Sequence, residues 1–358
     1  MNLSRKFIIL MLLVVALPFI LGAVETKLEM ELWNRMSYVD DGSEADPETS
    51  FSVERGYFTL KPTLSDNVSA RFTLDFFSSD KDTNGAGLKM KYAFLDFKNI
   101  LPLPKSTLSV GLTKNYFGYI YDWKYETIEK DPADLWKFAS STDYGIVLSG
   151  QVPAAKLSYN LGVYNGEGYK KSGSKVNTEY AYLANVRIKP VEMLELGGTF
   201  SMNTNKAASI EEIVDEDGTG EYIDNPDHEA HTSFAALAKF KMSGVTLLGQ
   251  FLGKTVELDN DDDAEDVSSQ AISVLAMFNL KDVADLNMDL VGRYDMYDPN
   301  TDNDDDGKNL MLFGVNYNIQ KNVQLQANYQ ITSFEAEGAE DESQFMLQLR
   351  YKFSNLLN

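Results

Sequence analysis

The chain has 358 residues, no cysteine, and 54 acidic against 32 basic side chains, for a formal charge of −22. The missing cysteine excludes a thiol-linked lipid anchor and a disulfide framework. The acidic balance argues against a nucleic-acid partner.

The amino terminus opens with Arg5 and Lys6, an apolar run from Phe7 to Leu21, then Gly22-Ala23. Charge, short apolar core and small residues define a signal peptide over residues 1–23. The run is interrupted by Pro18 and is short of the roughly 20 apolar residues that a comfortable membrane-spanning helix needs. No later stretch could form such a helix. Residues 24–358 are therefore expected to be one domain, exported through the periplasm.

That domain reads as β-strands. Alternation with period 2 marks Lys27–Tyr38, Phe51–Pro62, Asn67–Phe77, Leu88–Lys98 and Thr107–Phe117. It continues over Asp143–Val152, Lys156–Asn165, Tyr180–Lys189, Met193–Asn203, Thr232–Met242 and Val245–Val256. The last five segments are Gln270–Leu280, Ala284–Tyr297, Asn309–Ile319, Val323–Phe334 and Ser343–Phe353. Most are near the 9–11 residues that cross a bilayer at a tilt. Short connections such as Leu64–Asn67, Ser243-Gly244 and Gln320–Asn322 alternate with long ones such as Gly166–Glu179, Thr204–His231 and Asp259–Ser269. About sixteen strands, short turns on one side and long loops on the other predict an all-β, antiparallel, up-and-down transmembrane barrel. In lipid only a closed sheet pairs every backbone polar group. The final segment ends on the aromatic Phe353, like the terminal strands of bacterial outer-membrane barrels. The predicted location is the bacterial outer membrane, in contact with lipid and lipopolysaccharide.

Parity separates the two faces, because a Lys or Arg facing lipid costs roughly 2–4 kcal/mol at mid-membrane. Leu28, Met30 and Leu32 are predicted to look out, with Lys27, Glu29, Glu31 and Arg35 looking in. Phe72, Leu74 and Phe76 look out, with Arg71 and Asp75 inside. Leu286, Met288 and Leu290 look out, with Asp289 and Arg293 inside. A polar interior without apolar filling implies a water-filled channel for small solutes and ions. Its cations include Arg35, Arg71, Arg187, Lys239, Arg293 and Arg350, which weight passage toward anions. Equally, these charges could serve only to solvate the lumen and offset Glu29, Glu31, Glu195 and Asp289. Arg55 and Asp96 are counted with the inward charges, although their strands have ambiguous parity.

The negative charge collects in loops, in Glu257–Asp266, Glu211–Glu221 and Glu335–Glu342. In Asp298-Pro-Asn300-Thr-Asp302-Asn-Asp304-Asp-Asp306-Gly307, alternate oxygens before a glycine match the first half of a calcium loop. The later bidentate glutamate is missing, its position being Phe313. Calcium at Asp298, Asn300, Asp302, Asp304 and Asp306 stands beside the simpler reading of a solvated acidic hairpin; no other cofactor is expected.

The segment Tyr119–Ser141 is rich in aromatics and has helical stretches. Together with Val110–Gly118, Gly162–Gly168 and Phe313–Tyr317, it resembles the phosphate-selective porin O and P family over most of the chain. The resemblance implies a sixteen-stranded barrel, often trimeric, with anion-binding arginines and lysines in the pore. Such barrels fold their third outer loop inward. Lys124, Lys130 and Lys137 would then help line a constriction, unless the aromatics merely pack the loop onto the wall. The acidic loops depart from an anion funnel, so pore architecture carries over better than phosphate specificity. The expected function is passive diffusion of small hydrophilic solutes; the alternative is a plugged structural or adhesive barrel. Enzymatic activity is not expected, since His228 and His231 fall in a long loop that makes a poor platform for catalysis.

Overall fold

A computed structural model of the chain describes residues 24–357, except 44, 80, 82–83, 126, 172–178, 207–212, 215–219, 222–227 and 259–265. The signal peptide, and much of the acidic loops Glu211–Glu221 and Glu257–Asp266, lie outside the described residues.

Sixteen strands close into one antiparallel barrel. They are β1 (Thr26–Asp40), β2 (Glu48–Ser65), β3 (Val68–Ser78), β4 (Ala86–Lys98), β5 (Thr107–Lys114), β6 (Thr142–Val152), β7 (Leu157–Tyr164) and β8 (Ala181–Val191). The second half comprises β9 (Leu194–Lys206), β10 (His228–Met242), β11 (Val245–Leu258), β12 (Val267–Asn279), β13 (Met288–Asp298), β14 (Lys308–Gln320), β15 (Val323–Phe334) and β16 (Glu342–Leu357). Each pairs with its chain neighbours, and β1 closes on β16 from Thr26↔Leu357 to Asp40↔Ser343. Closure leaves no barrel edge unpaired, which is the condition for residence in lipid.

Alternation is clean on the outer face. Tyr182, Phe200, Phe234, Ile272, Met296, Phe313 and Phe345 are exposed, while the intervening Leu183, Ala235, Ala271 and Asp295 are buried. An exposed apolar surface of this extent is incompatible with water and fits a bilayer.

Several predicted boundaries are corrected. The fifth strand stops at Lys114 rather than Phe117, and the chain turns inward there. The strand expected over Ala284–Tyr297 begins only at Met288, because Lys281–Ala284 forms a short helix and Asp285 follows it at φ 54°. The last strand continues through Leu357, past Phe353. Both histidines belong to β10 rather than to a loop, and His231 faces inward against Glu229 (Nε2 to Oε2 3.0 Å).

Two register shifts explain the ambiguous parities. Between β1 and β2, Trp33 pairs with Arg55 and Asn34 with Val53, so Glu54 is an extra residue. Between β3 and β4, Thr73 pairs with Tyr92 and Leu74 with Met90, leaving Lys91 extra. A bulge places two successive side chains on one side of the sheet. Arg55 beside Glu54, and Tyr92 beside Lys91, thus engage the lumen together.

Candidate functional site: the inward loop and the lumen wall

The chain between β5 and β6, residues 115–141, folds into the barrel. Its root approaches the wall closely at Gly118, whose φ of 52° favours glycine and whose missing Cβ would lie 3.3 Å from Gln250 Oε1. The Gly118 amide donates to Thr199 Oγ1 (3.2 Å) and the Tyr119 amide to Gln250 Oε1 (3.2 Å). Lys239 donates to the Tyr119 hydroxyl (2.5 Å). Further on, the loop builds a four-residue helix, α1 (Pro132–Leu135). Asp131 caps it by accepting from the Ala133 amide (2.9 Å), and Pro132 takes a first-turn position where no amide hydrogen is needed. Gln250 Nε2 donates to the other oxygen of Asp131 (3.0 Å). Burial raises the Asp131 carboxyl to about 6, against the pull of these two hydrogen bonds and of Arg293.

The loop tip reaches the far wall. Tyr125, at φ 54°, stands 4.7 Å from the Trp33 ring and accepts from Arg55 through its hydroxyl (2.6 Å). Its carbonyl accepts from Gln326 (2.9 Å), and the Lys124 carbonyl from Arg350 (2.9 Å). The loop is thus tied to β1, β2, β15 and β16 on one side and to β8–β11 and β13 on the other.

Under the loop the wall is apolar. Phe117, Ala133 and Phe138 pack with Val147, Tyr164, Leu183, Ala235, Leu252 and Ala271. Tyr119 packs with Leu237, Leu248, Leu275 and Val291, against which Trp123 also lies. The expectation of a lumen without apolar filling is corrected: these inward positions must desolvate together, so they carry small and aliphatic side chains instead of charges.

The predicted pore arginines divide sharply. Arg293 pairs with Asp295 (2.5 Å), both side chains fully buried, and donates to the Lys130 carbonyl (2.5 Å). Arg187 pairs with Asp122 (2.7 Å) and Glu195 (3.0 Å) and donates to the Gly118 carbonyl. Arg350 pairs with Glu31 (2.6 Å), and Arg35 with Glu54 (3.2 Å). Arg71 differs: its guanidinium lies 3.9 Å from the Tyr92 ring centre and donates to Thr73, with no ion pair to a described carboxylate. Lys124, Lys130 and Lys137 carry exposed side chains, and the loop's binding to the wall uses the first two through their carbonyls.

Cations missed by the sequence reading lie on β4 and β5. Lys89, Lys91 and Lys114 have no ion pair to a described carboxylate; Lys91 donates to Ser141 and faces the Tyr169 ring. The bulge hid Lys91, and the early end of β5 hid Lys114. Below them a cavity of about 390 Å³ is lined by residues including Lys27, Lys61, Arg71, Phe94, Asp96, Lys98, Lys114 and Leu356.

In the acidic loop after β13, Asp302 and Asp304 are exposed and the Asn300 side chain accepts from the Asp302 amide (3.2 Å). Among the described residues no group of three His, Asp or Glu side chains is placed to hold a metal ion.

A closed sixteen-stranded barrel with an apolar outer belt and an inward loop is the fold of bacterial outer-membrane porins, and it places the chain in that membrane. No protein-family model matches the chain, and no curated protein matches it. Among solved structures it is similar to a loop L8 deletion mutant of OmpT, an outer membrane protein of Vibrio cholerae (TM-score 0.65, 15% identity, 92% of this chain and 100% of that one). It is likewise similar to an anion-selective porin from Comamonas acidovorans (0.64, 12%, 92% and 100%). A third likeness is to the outer membrane channel DcaP of Acinetobacter baumannii (0.65, 12%, 93% and 98%). At these identities the likeness establishes the fold.

Proposed function

We propose that the chain is a passive diffusion channel for small hydrophilic solutes, with preference for anions. The observation that carries this reading is the contrast between the two walls. Arg35, Arg187, Arg293 and Arg350 each hold an acid, whereas Arg71, Lys89 and Lys114 on β3–β5 make no ion pair with a described carboxylate; Lys91 beside them is buried against Ser141 of the loop. Cations without an ion pair along a water path favour anions. The loop is tied to β8–β11 and β13 and across to β1, β2, β15 and β16, and it touches β3–β5 through Lys91 and Ser141; the path follows the rest of the β3–β5 side.

The reading includes no enzymatic step. A homotrimer belongs to it, supported by an outer apolar groove beside Asn34 that is lined by Met36, Phe51, Val53, Leu325, Leu347 and Leu349. Phosphate is the finer expectation from the family resemblance, and Arg71, Lys89 and Lys114 suit it.

The many ties between loop and wall favour a second reading, a plugged structural barrel. Planar-bilayer recording of the refolded chain under a KCl gradient separates the two. Conductance with an anionic reversal potential supports the channel; a cationic potential rejects its selectivity. Silence from verified folded barrels supports the plug.

A further inference from the structure

Arg71 and Phe94 face each other across β3 and β4. Both line the cavity below the loop, together with Lys114 and, at its outer edge, Leu356. Three observations there go unexplained by a path for water and inorganic ions. First, Arg71 and Lys114 share the cavity with no carboxylate at ion-pair distance among the described residues. Asp96 and Glu25 also line the cavity, but neither pairs with Arg71 or Lys114, whose mutual repulsion an anion between them would relieve. Second, an aromatic ring faces the lumen at Phe94, and Leu356 points in beside it, half exposed at 53%. Tyr92 meets the Phe94 ring edge-on at 6.1 Å between centres, and the part of the ring that lines the cavity stays available to an apolar ligand face. Third, the residue opposite Phe94 on β5 is Gly111. It has φ 126°, and a Cβ there would meet the Ala93 carbonyl at 2.4 Å. This close approach of the β4 backbone requires glycine, and Phe94 therefore has no side chain opposite it on β5.

We infer that this cavity is a binding site for an organic carboxylate that carries an aromatic or alkyl body. The carboxylate sits between Arg71 and Lys114, and the body lies on Phe94. Tyr92 holds the guanidinium of Arg71 by its face, which leaves the guanidinium edge free to donate. Asp96 accepts from Ser109 through one oxygen (2.5 Å), and the five cations that line the cavity outnumber Asp96 and Glu25. The site deepens the channel reading, because it names the class of anion that the β3–β5 wall would pass.

The test uses the full mature chain refolded in detergent, with benzoate, acetate and inorganic phosphate as probes. Calorimetric titration is expected to show benzoate binding about ten-fold more tightly than acetate, the ratio that one aromatic contact of this kind supplies. Phe94→Ala should erase that ratio and leave acetate unchanged. Lys114→Gln should weaken both carboxylates while keeping the ratio. Heat-modifiable gel mobility verifies that each variant is a folded barrel, and Phe94→Leu serves where the alanine variant does not fold. Equal affinity for benzoate and acetate overturns the inference, as does a ratio that survives loss of Phe94, or phosphate binding more tightly than benzoate. Titration is independent of conduction. A silent barrel that binds benzoate keeps the site and rejects the channel; a conducting barrel that does not bind benzoate does the reverse.

Discussion

Arg293 and Asp295, two residues apart on the inward face of β13, form an ion pair whose side chains are completely withdrawn from solvent. Each also grips the loop: Arg293 donates to the Lys130 carbonyl, and Asp295 accepts from Trp136 Nε1 (3.1 Å). Trp136 in turn stacks on Tyr297 at 4.7 Å between ring centres. Breaking one member of such a pair leaves a buried charge uncompensated, at a cost of about 3–5 kcal/mol. Asp295→Ala is therefore expected to free the α1 end of the loop. Single-channel recording should show a larger and noisier conductance than that of the parent chain. An unchanged conductance in a folded variant rejects Asp295 as an anchor.

The loop tip has its own latch. Tyr125 contacts Trp33 and accepts from Arg55, so Tyr125→Ala removes a ring contact and a charge-assisted hydrogen bond together. Removing both should cost about 2–4 kcal/mol locally. Limited proteolysis of the folded barrel should then cut within residues 121–130, where the parent chain resists.

Selectivity should follow the uncompensated cations. Lys114→Glu, and separately Lys89→Glu, are expected to move the reversal potential under a KCl gradient toward cations. Arg35→Gln should move it less, because Arg35 already faces Glu54 at 3.2 Å. Equal shifts from all three would mean that ion pairing does not decide which charges the permeating ion meets.

The loop should also respond to pH through Asp131. Burial raises this carboxyl from 3.8 to about 6. The docked loop therefore binds the proton more tightly than the undocked one. Docking is strongest below pH 3.8 and weakens as the pH rises from there through about 6. Gln250, the Ala133 amide, Arg293 and Asp134 surround the group, and none of their contributions reverses this sign. Conductance is expected to be smaller at acid pH than at neutral pH. In Asp131→Asn, which keeps an acceptor but cannot ionise, this difference should disappear.

An arginine on the outer belt should cost stability where an arginine in the lumen does not. Phe251 faces out near the middle of β11, and Phe251→Arg should lower folding stability in bilayers by roughly 2–4 kcal/mol. Urea titration in lipid vesicles measures it.

Period-2 alternation by itself determined the strand count, the closed barrel and the outward face, because lipid tolerates almost no polar side chain and so writes its demand into every second residue. Aromatic content in Tyr119–Ser141 marked the loop that turns inward. The lumen was less legible. Its inward positions carry charge where they meet water and leucine or alanine where they meet the loop, and only the folded path of residues 115–141 decides which. Glu54 and Lys91 shift the register by one residue, so counting parity through them left Arg55 ambiguous and hid Lys91. Above all, a charge in sequence carries no record of its partner. Arg187 and Arg71 look alike along the chain, yet Glu195 of the next strand and Asp122 of the loop stand against the first and an aromatic ring against the second. Partnering across a barrel depends on register and shear, which exist only once the sheet has closed.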